Sequence, residues 1–134
     1  MPKIEHIGIA VKHLSESIPL FEKLLNTSCY KTEAVESERV NTAFFKIPES
    51  KVELIEAYGP GSVITKFIEK KGEGIHHIAF AVEDIYAEAE RLKAEGFVFI
   101  NDQPKRGADN KMIWFLHPKN TNSVLIELCM EIAE

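Results

Sequence analysis

One strand motif occurs twice in this chain. Ile4-Glu5-His6-Ile7-Gly8-Ile9-Ala10-Val11 near the start returns as Ile75-His76-His77-Ile78-Ala79-Phe80-Ala81-Val82 just past the middle. Each copy is followed by a glutamate inside an apolar run, Val52-Glu53-Leu54-Ile55 in the first and Leu125-Ile126-Glu127-Leu128 in the second. Glu53 lies 47 positions after His6 and Glu127 lies 50 after His77, so the duplication covers nearly the whole chain. Two modules of about half the chain length are each too small to be comfortable alone. Two histidines and two glutamates at equivalent places suggest one metal ion shared between the halves.

Strand alternation sharpens that reading, because successive side chains point to opposite faces. His6, Gly8 and Ala10 share a face, opposite Ile7, Ile9 and Val11; His77, Ala79 and Ala81 share a face, opposite Ile78, Phe80 and Val82. Both histidines therefore sit beside small residues, and the bulky faces are the expected core. Glu127 shares its face with Leu125 and Cys129, where an unpaired carboxylate would be costly and a cation would satisfy it. Taken singly, each histidine suits a hydrogen-bonded core position and each glutamate a solvated sheet face. As four residues at matching offsets, His6, Glu53, His77 and Glu127 read as ligands of a divalent ion; such a mixed N/O set accepts cobalt, manganese, nickel or zinc.

A chain of 134 residues, 45% of them hydrophobic, has the size of one ordinary domain and can bury a core. The net charge is −5 with scattered basic residues, which argues against nucleic acid as a partner. No apolar run approaches the ~20 residues that span a bilayer. The chain opens directly into strand-like sequence without a signal-peptide pattern. Cys29 and Cys129 form no CxxC pair, so free thiols and a reducing cytoplasm are expected.

The order of elements repeats as well. In module one (residues 1–58), a strand over 3–11 leads to a helix from about Ser15 to Leu25, with Ile18, Phe21, Leu24 and Leu25 on its inner stripe and Pro19 in its first turn. Strands follow near 29–35, 39–47 and 51–57. Residues 59–73 form a linker: Tyr58-Gly59-Pro60-Gly61 breaks the chain, and a short helix over 62–71 turns Val63, Ile64, Phe67 and Ile68 inward. Module two (residues 74–134) has a helix with Asp84 as N-cap and Gly96 past its C-terminus, then strands near 97–101, 111–116 and 123–130. Residues 104–110 are a polar loop between two of those strands. Each module is thus βαβββ, and the class is α+β: two tandem modules forming a curved, mostly antiparallel sheet around a metal-binding cleft, with the helices outside.

These residues resemble the vicinal oxygen chelate superfamily of glyoxalases, bleomycin resistance proteins and dioxygenases, whose paired βαβββ modules hold a divalent metal on their first and last strands. Within it the likeness is to the methylmalonyl-CoA epimerase family. It is carried by the stretch from Phe67-Ile68-Glu69-Lys70-Lys71 through Gly72-Glu73-Gly74-Ile75-His76-His77-Ile78-Ala79, by Phe115-Leu116-His117-Pro118-Lys119 and by Val124-Leu125-Ile126-Glu127-Leu128, and it runs nearly end to end.

The resemblance implies one divalent ion per chain on His6, Glu53, His77 and Glu127, a coenzyme A thioester as substrate, a homodimer, and no nucleic-acid or membrane partner. It further implies proton removal between a thioester carbonyl and a carboxylate, with Glu127 as the first base and Glu53 as candidate for the opposite face. Glyoxalase I suits the same ligand set, and a small-molecule binding protein of this fold is the non-catalytic alternative.

Two positions depart from the family pattern. Relatives with glutamine at the Glu53 position carry a further glutamate where this chain has Thr42, and Gly107-Ala108-Asp109-Asn110 replaces a glycine-rich turn. Asp and Asn tolerate turn conformations, which favours a conformational reading of that change. Alternation gives His76 a structural role, and His13 lies in a polar linker. His117 suits either a substrate carboxylate or a turn. Lys105, Arg106, Lys111 and Lys119 suit either coenzyme A phosphates or solubility.

Overall fold

The computed structural model describes residues 1–133. Among them are eight strands and three α-helices, a mixed α+β fold. The chain divides into two compact units, one of His6–His76 and the other of Met1–Glu5 with the chain from His77 onward. No helix among the described residues is long and apolar enough to cross a membrane.

The N-terminal unit contains most of β1 (Lys3–Ala10) and all of α1 (Leu14–Leu25), β2 (Lys31–Val35), β3 (Val40–Ile47), β4 (Ser50–Ala57) and α2 (Val63–Lys71). Its strands lie in the order β2-β3-β4-β1, antiparallel except for the parallel pair β4-β1. The other unit contains most of β5 (Gly74–Ala81) and all of α3 (Ile85–Ala94), β6 (Lys105–Arg106), β7 (Lys111–Leu116) and β8 (Ile126–Glu131). Its order is β6-β7-β8-β5, again with a parallel inner pair, β8-β5. The duplication read from the sequence is therefore a duplication of strand order and direction.

One face of each unit's sheet is a hydrophobic core closed by a helix. In the N-terminal unit Val11, Ala43, Phe45 and Leu54 pack with Leu14, Ile18, Phe21 and Leu25 of α1, whose spacing keeps them on one stripe. In the C-terminal unit Val82, Trp114, Leu116 and Leu128 pack with Ile85, Ala89 and Leu92 of α3. Both helices meet the face opposite the glutamates.

Helix ends follow from local chemistry. Asp84 caps α3 by accepting hydrogen bonds from the backbone N–H of Tyr86 and Ala87, both at 3.1 Å, and Gly96 follows its end with φ +99°. Ser62 caps α2 through Ile64 N–H at 3.2 Å. Asn26 ends α1 in the left-handed conformation, donating to the Glu22 carbonyl.

Several expectations are corrected. Leu24 on α1 and Val63 on α2 are 69% and 57% exposed, so the inner stripes are narrower than read. Pro19 lies past the first turn of α1, where its missing N–H withholds a bond from the solvent-facing Ser15 carbonyl. Residues 97–101 form only an isolated bridge, Phe99 to Leu116, and the edge strand is β6, inside the expected polar loop. The last strand begins at Ile126, after a turn in which Asn122 and Ser123 take positive φ. Finally, α2 does not lie outside: its Ile64, with Phe67 and Ile68, packs on Ala10, Val40 and Ile55, which share the glutamate face of the N-terminal sheet.

Candidate metal centre and active site

Each unit builds one buried histidine–glutamate pair from its parallel inner strands. Gly8 of β1 stands opposite Glu53 of β4, and His6, two residues earlier, shares that face; His6 Nε2 lies 3.2 Å from Glu53 Oε1. In the other unit Ala79 of β5 stands opposite Glu127 of β8, and His77 Nε2 lies 3.2 Å from Glu127 Oε1. All four residues are buried, none more than 6% exposed. The small residue across from each glutamate leaves room for the imidazole two positions before it. The structure thus brings together the four predicted residues as two equivalent pairs.

The donor set fits a divalent ion. Nitrogen and oxygen ligands bind such ions at ~2.1 Å, so two neighbouring ligand atoms on one ion lie about 3 Å apart. The observed 3.2 Å separations are close to that in both pairs. Imidazole and carboxylate together suit zinc and its first-row neighbours.

Two phenylalanines, unnoticed as a pair in the sequence, flank the glutamates. Phe44 of β3 is the cross-strand partner of Glu53, and Phe115 of β7 is that of Glu127. The Phe115 ring stands edge-on to His77, with centroids 5.7 Å apart, and Phe44 is buried. Their signal was present as a Phe three or four residues before Pro48 and Pro118, at equivalent places in the repeat.

The remaining candidates sort by their contacts. Thr42 is buried, and its hydroxyl donates to the Glu33 carbonyl at 2.8 Å, so that position supplies no carboxylate. His76 packs edge-on against Phe67 at 4.9 Å; burial, with the nearby Lys71 charge, lowers its pKa to about 4 and keeps it neutral. His117 accepts the Lys119 N–H at 3.1 Å through Nδ1, a turn cap. His13 is exposed and its side chain makes no cap to α1. Asp109 and Asn110 have φ +58° and +56°, so they supply the left-handed backbone a glycine-rich turn would use.

The model of the Glyoxalase/Bleomycin resistance protein/Dioxygenase superfamily matches residues 5–115, and the chain belongs to that superfamily. Its relatives carry the assignment further. The chain is 38% identical over 128 residues to the ethylmalonyl-CoA/methylmalonyl-CoA epimerase of Cereibacter sphaeroides, a match covering 94% of this chain and 96% of that protein. It is 39% identical over 129 residues to the uncharacterized protein YqjC of Bacillus subtilis, covering 96% and 92% of the two chains. Its fold matches that of a Streptomyces coelicolor methylmalonyl-CoA epimerase in complex with 2-nitronate-propionyl-CoA, with a TM-score of 0.93 and 34% identity over 98% of this chain and 95% of that one. The protein is an enzyme of the racemase and epimerase class.

Proposed function

We propose that the enzyme interconverts the epimers of methylmalonyl-CoA, or of a closely related 2-alkylmalonyl thioester, with a divalent ion held by His6, Glu53, His77 and Glu127. The observation that carries this reading is the pair of buried His–Glu contacts at equal 3.2 Å separations, in a chain whose relatives are epimerases of such esters.

When bound, the ion supplies Lewis-acid stabilisation of the negative charge that develops on the thioester oxygen. The chain's own residues move the protons. Glu127 accepts the α-proton as the C–H bond breaks, and the electron pair moves onto the thioester carbonyl. Return of a proton to the other face of the planar carbanion inverts the centre, and Glu53 is the carboxylate assigned to that face. Phe115 and Phe44 cover the flanks of the two glutamates and keep water from competing for the carbanion.

Solvent-deuterium exchange tests the reading. Metal-loaded enzyme is expected to exchange the α-proton of methylmalonyl-CoA, and to form no lactoylglutathione from the methylglyoxal–glutathione hemithioacetal. The opposite pattern would hand the function to the glyoxalase reading. Inactivity on both substrates would favour a binding protein.

A further inference from the structure

Lys111 is the one buried lysine on the glutamate face of the C-terminal sheet, and the proton-transfer chemistry does not use it. It is 8% exposed and shares a face of β7 with Ile113 and Phe115. Among the described residues its ammonium meets the Asp109 carbonyl at 3.4 Å and Glu131 Oε1 at 3.7 Å, the latter on a side chain that is 88% exposed. A buried ammonium whose partners are one long hydrogen bond and a carboxylate on an exposed side chain keeps donor capacity for a further anion.

A second lysine joins it. Lys105 on β6 is the cross-strand partner of Ile113 and so projects to the same face, one row nearer Glu127. The β6–β7 hairpin is built to hold the two together. Asp109 and Asn110 take the paired left-handed conformations of a tight turn, and Gly107 N–H donates to the Lys111 carbonyl at 2.9 Å. A Cβ at Gly107 would stand 2.8 Å from Ile113 Cδ1, so a larger residue there would push on that side chain. Arg106 hydrogen-bonds Asn110 and braces the turn.

We infer that Lys111 and Lys105 form an anion-recognition subsite for the phosphates of the coenzyme A moiety. This rests on the reading of the site as one for a coenzyme A thioester, and deepens it. Position along the strand selects the phosphates over the acyl carboxylate. Phe115 faces Glu127, where the reacting carbon belongs, and Lys111 lies four residues further along β7, about 14 Å away at ~3.4 Å per residue. The acyl carboxylate is bonded directly to the reacting carbon and stays beside Glu127. Phosphates at the end of the extended, uncharged pantetheine arm lie beyond that reach, where a buried ammonium gains most from a dianion.

Equilibrium binding of coenzyme A and of pantetheine, which has the arm without the phosphates, tests this without requiring turnover. The wild type is expected to bind coenzyme A more tightly than pantetheine, with an affinity that weakens as salt is added. Lys111→Met, which keeps the side-chain volume, is expected to weaken coenzyme A binding roughly tenfold, the loss of one charge-assisted contact, and to reduce its salt dependence. Lys105→Gln, at a half-buried position, is expected to act in the same direction and provides the same information if Lys111→Met does not fold. A wild type that binds the two ligands equally, or variants that leave the coenzyme A to pantetheine ratio unchanged, would overturn the assignment. Failure of the epimerase reading has a different signature: absence of α-proton exchange with methylmalonyl-CoA while that ratio is retained.

Discussion

The two units share strand order, a parallel inner pair and a His–Glu pair at the same separation, yet the glutamate faces around those pairs differ. One row beyond the glutamate, the N-terminal sheet carries Glu33, Thr42, Ile55 and Ala10 from edge to centre, and the C-terminal sheet carries Lys105, Ile113, Cys129 and Ala81. An acidic edge in one unit is replaced by a basic edge in the other. The N-terminal face is also partly closed by α2, through Ile64, whereas Ala79, Ile113 and Cys129 with Phe115 form only a small apolar cluster on the C-terminal face. Duplication preserved the buried His–Glu pair in each unit and left its surroundings free to diverge.

The largest expected effect separates the two glutamates. Glu127→Gln should lower turnover by ~10²- to 10⁴-fold while metal content stays near normal, because the amide oxygen still coordinates and the base is gone. In Glu53→Gln, one-way deuterium exchange should survive while inversion fails; both are read by NMR in heavy water. Equal and mild losses in the two variants would place the bases elsewhere even with the ligands correctly assigned.

Next in size is the structural equivalence of the two cores. Leu54 and Leu128 follow the two glutamates directly, and both are fully buried in the helix-covered cores. Leu54→Ala and Leu128→Ala should each cost about 2–5 kcal/mol in urea unfolding. A cost well below that range in one of them would mean that its core tolerates collapse in a way its counterpart does not.

The smallest contrast is at the helix starts. Asp84→Ala removes an acceptor that serves two backbone N–H groups and should cost about 1 kcal/mol. His13→Ala, at the equivalent place before α1, removes no cap and should leave the unfolding midpoint unchanged.

The repeat made most of this legible in the sequence. Strand alternation placed His6 with Gly8 and His77 with Ala79 on single faces, and the nearly equal spacings to Glu53 and Glu127 identified the pairs that the structure brings to 3.2 Å. Asp84 and Gly96 marked the ends of α3 because their chemistry is local. What escaped needed information that no local pattern holds. A two-residue edge strand such as β6 is too short to show alternation, and its residues have the composition of a polar loop. The amphipathic stripe of α2 identifies residues that face inward without saying which sheet face they meet, and that helix packs on the glutamate side. Lys111 is buried on the face of β7 that it shares with Ile113 and Phe115, a placement set by pairing register.

Metal analysis of three proteins most directly tests the ion proposed for His6, Glu53, His77 and Glu127. Purified wild type is expected to hold one divalent ion per chain, and His6→Ala and His77→Ala, one from each unit, are each expected to hold almost none, since removing either imidazole opens the coordination sphere. Two ions per wild-type chain, or a full complement retained by either variant, would contradict it.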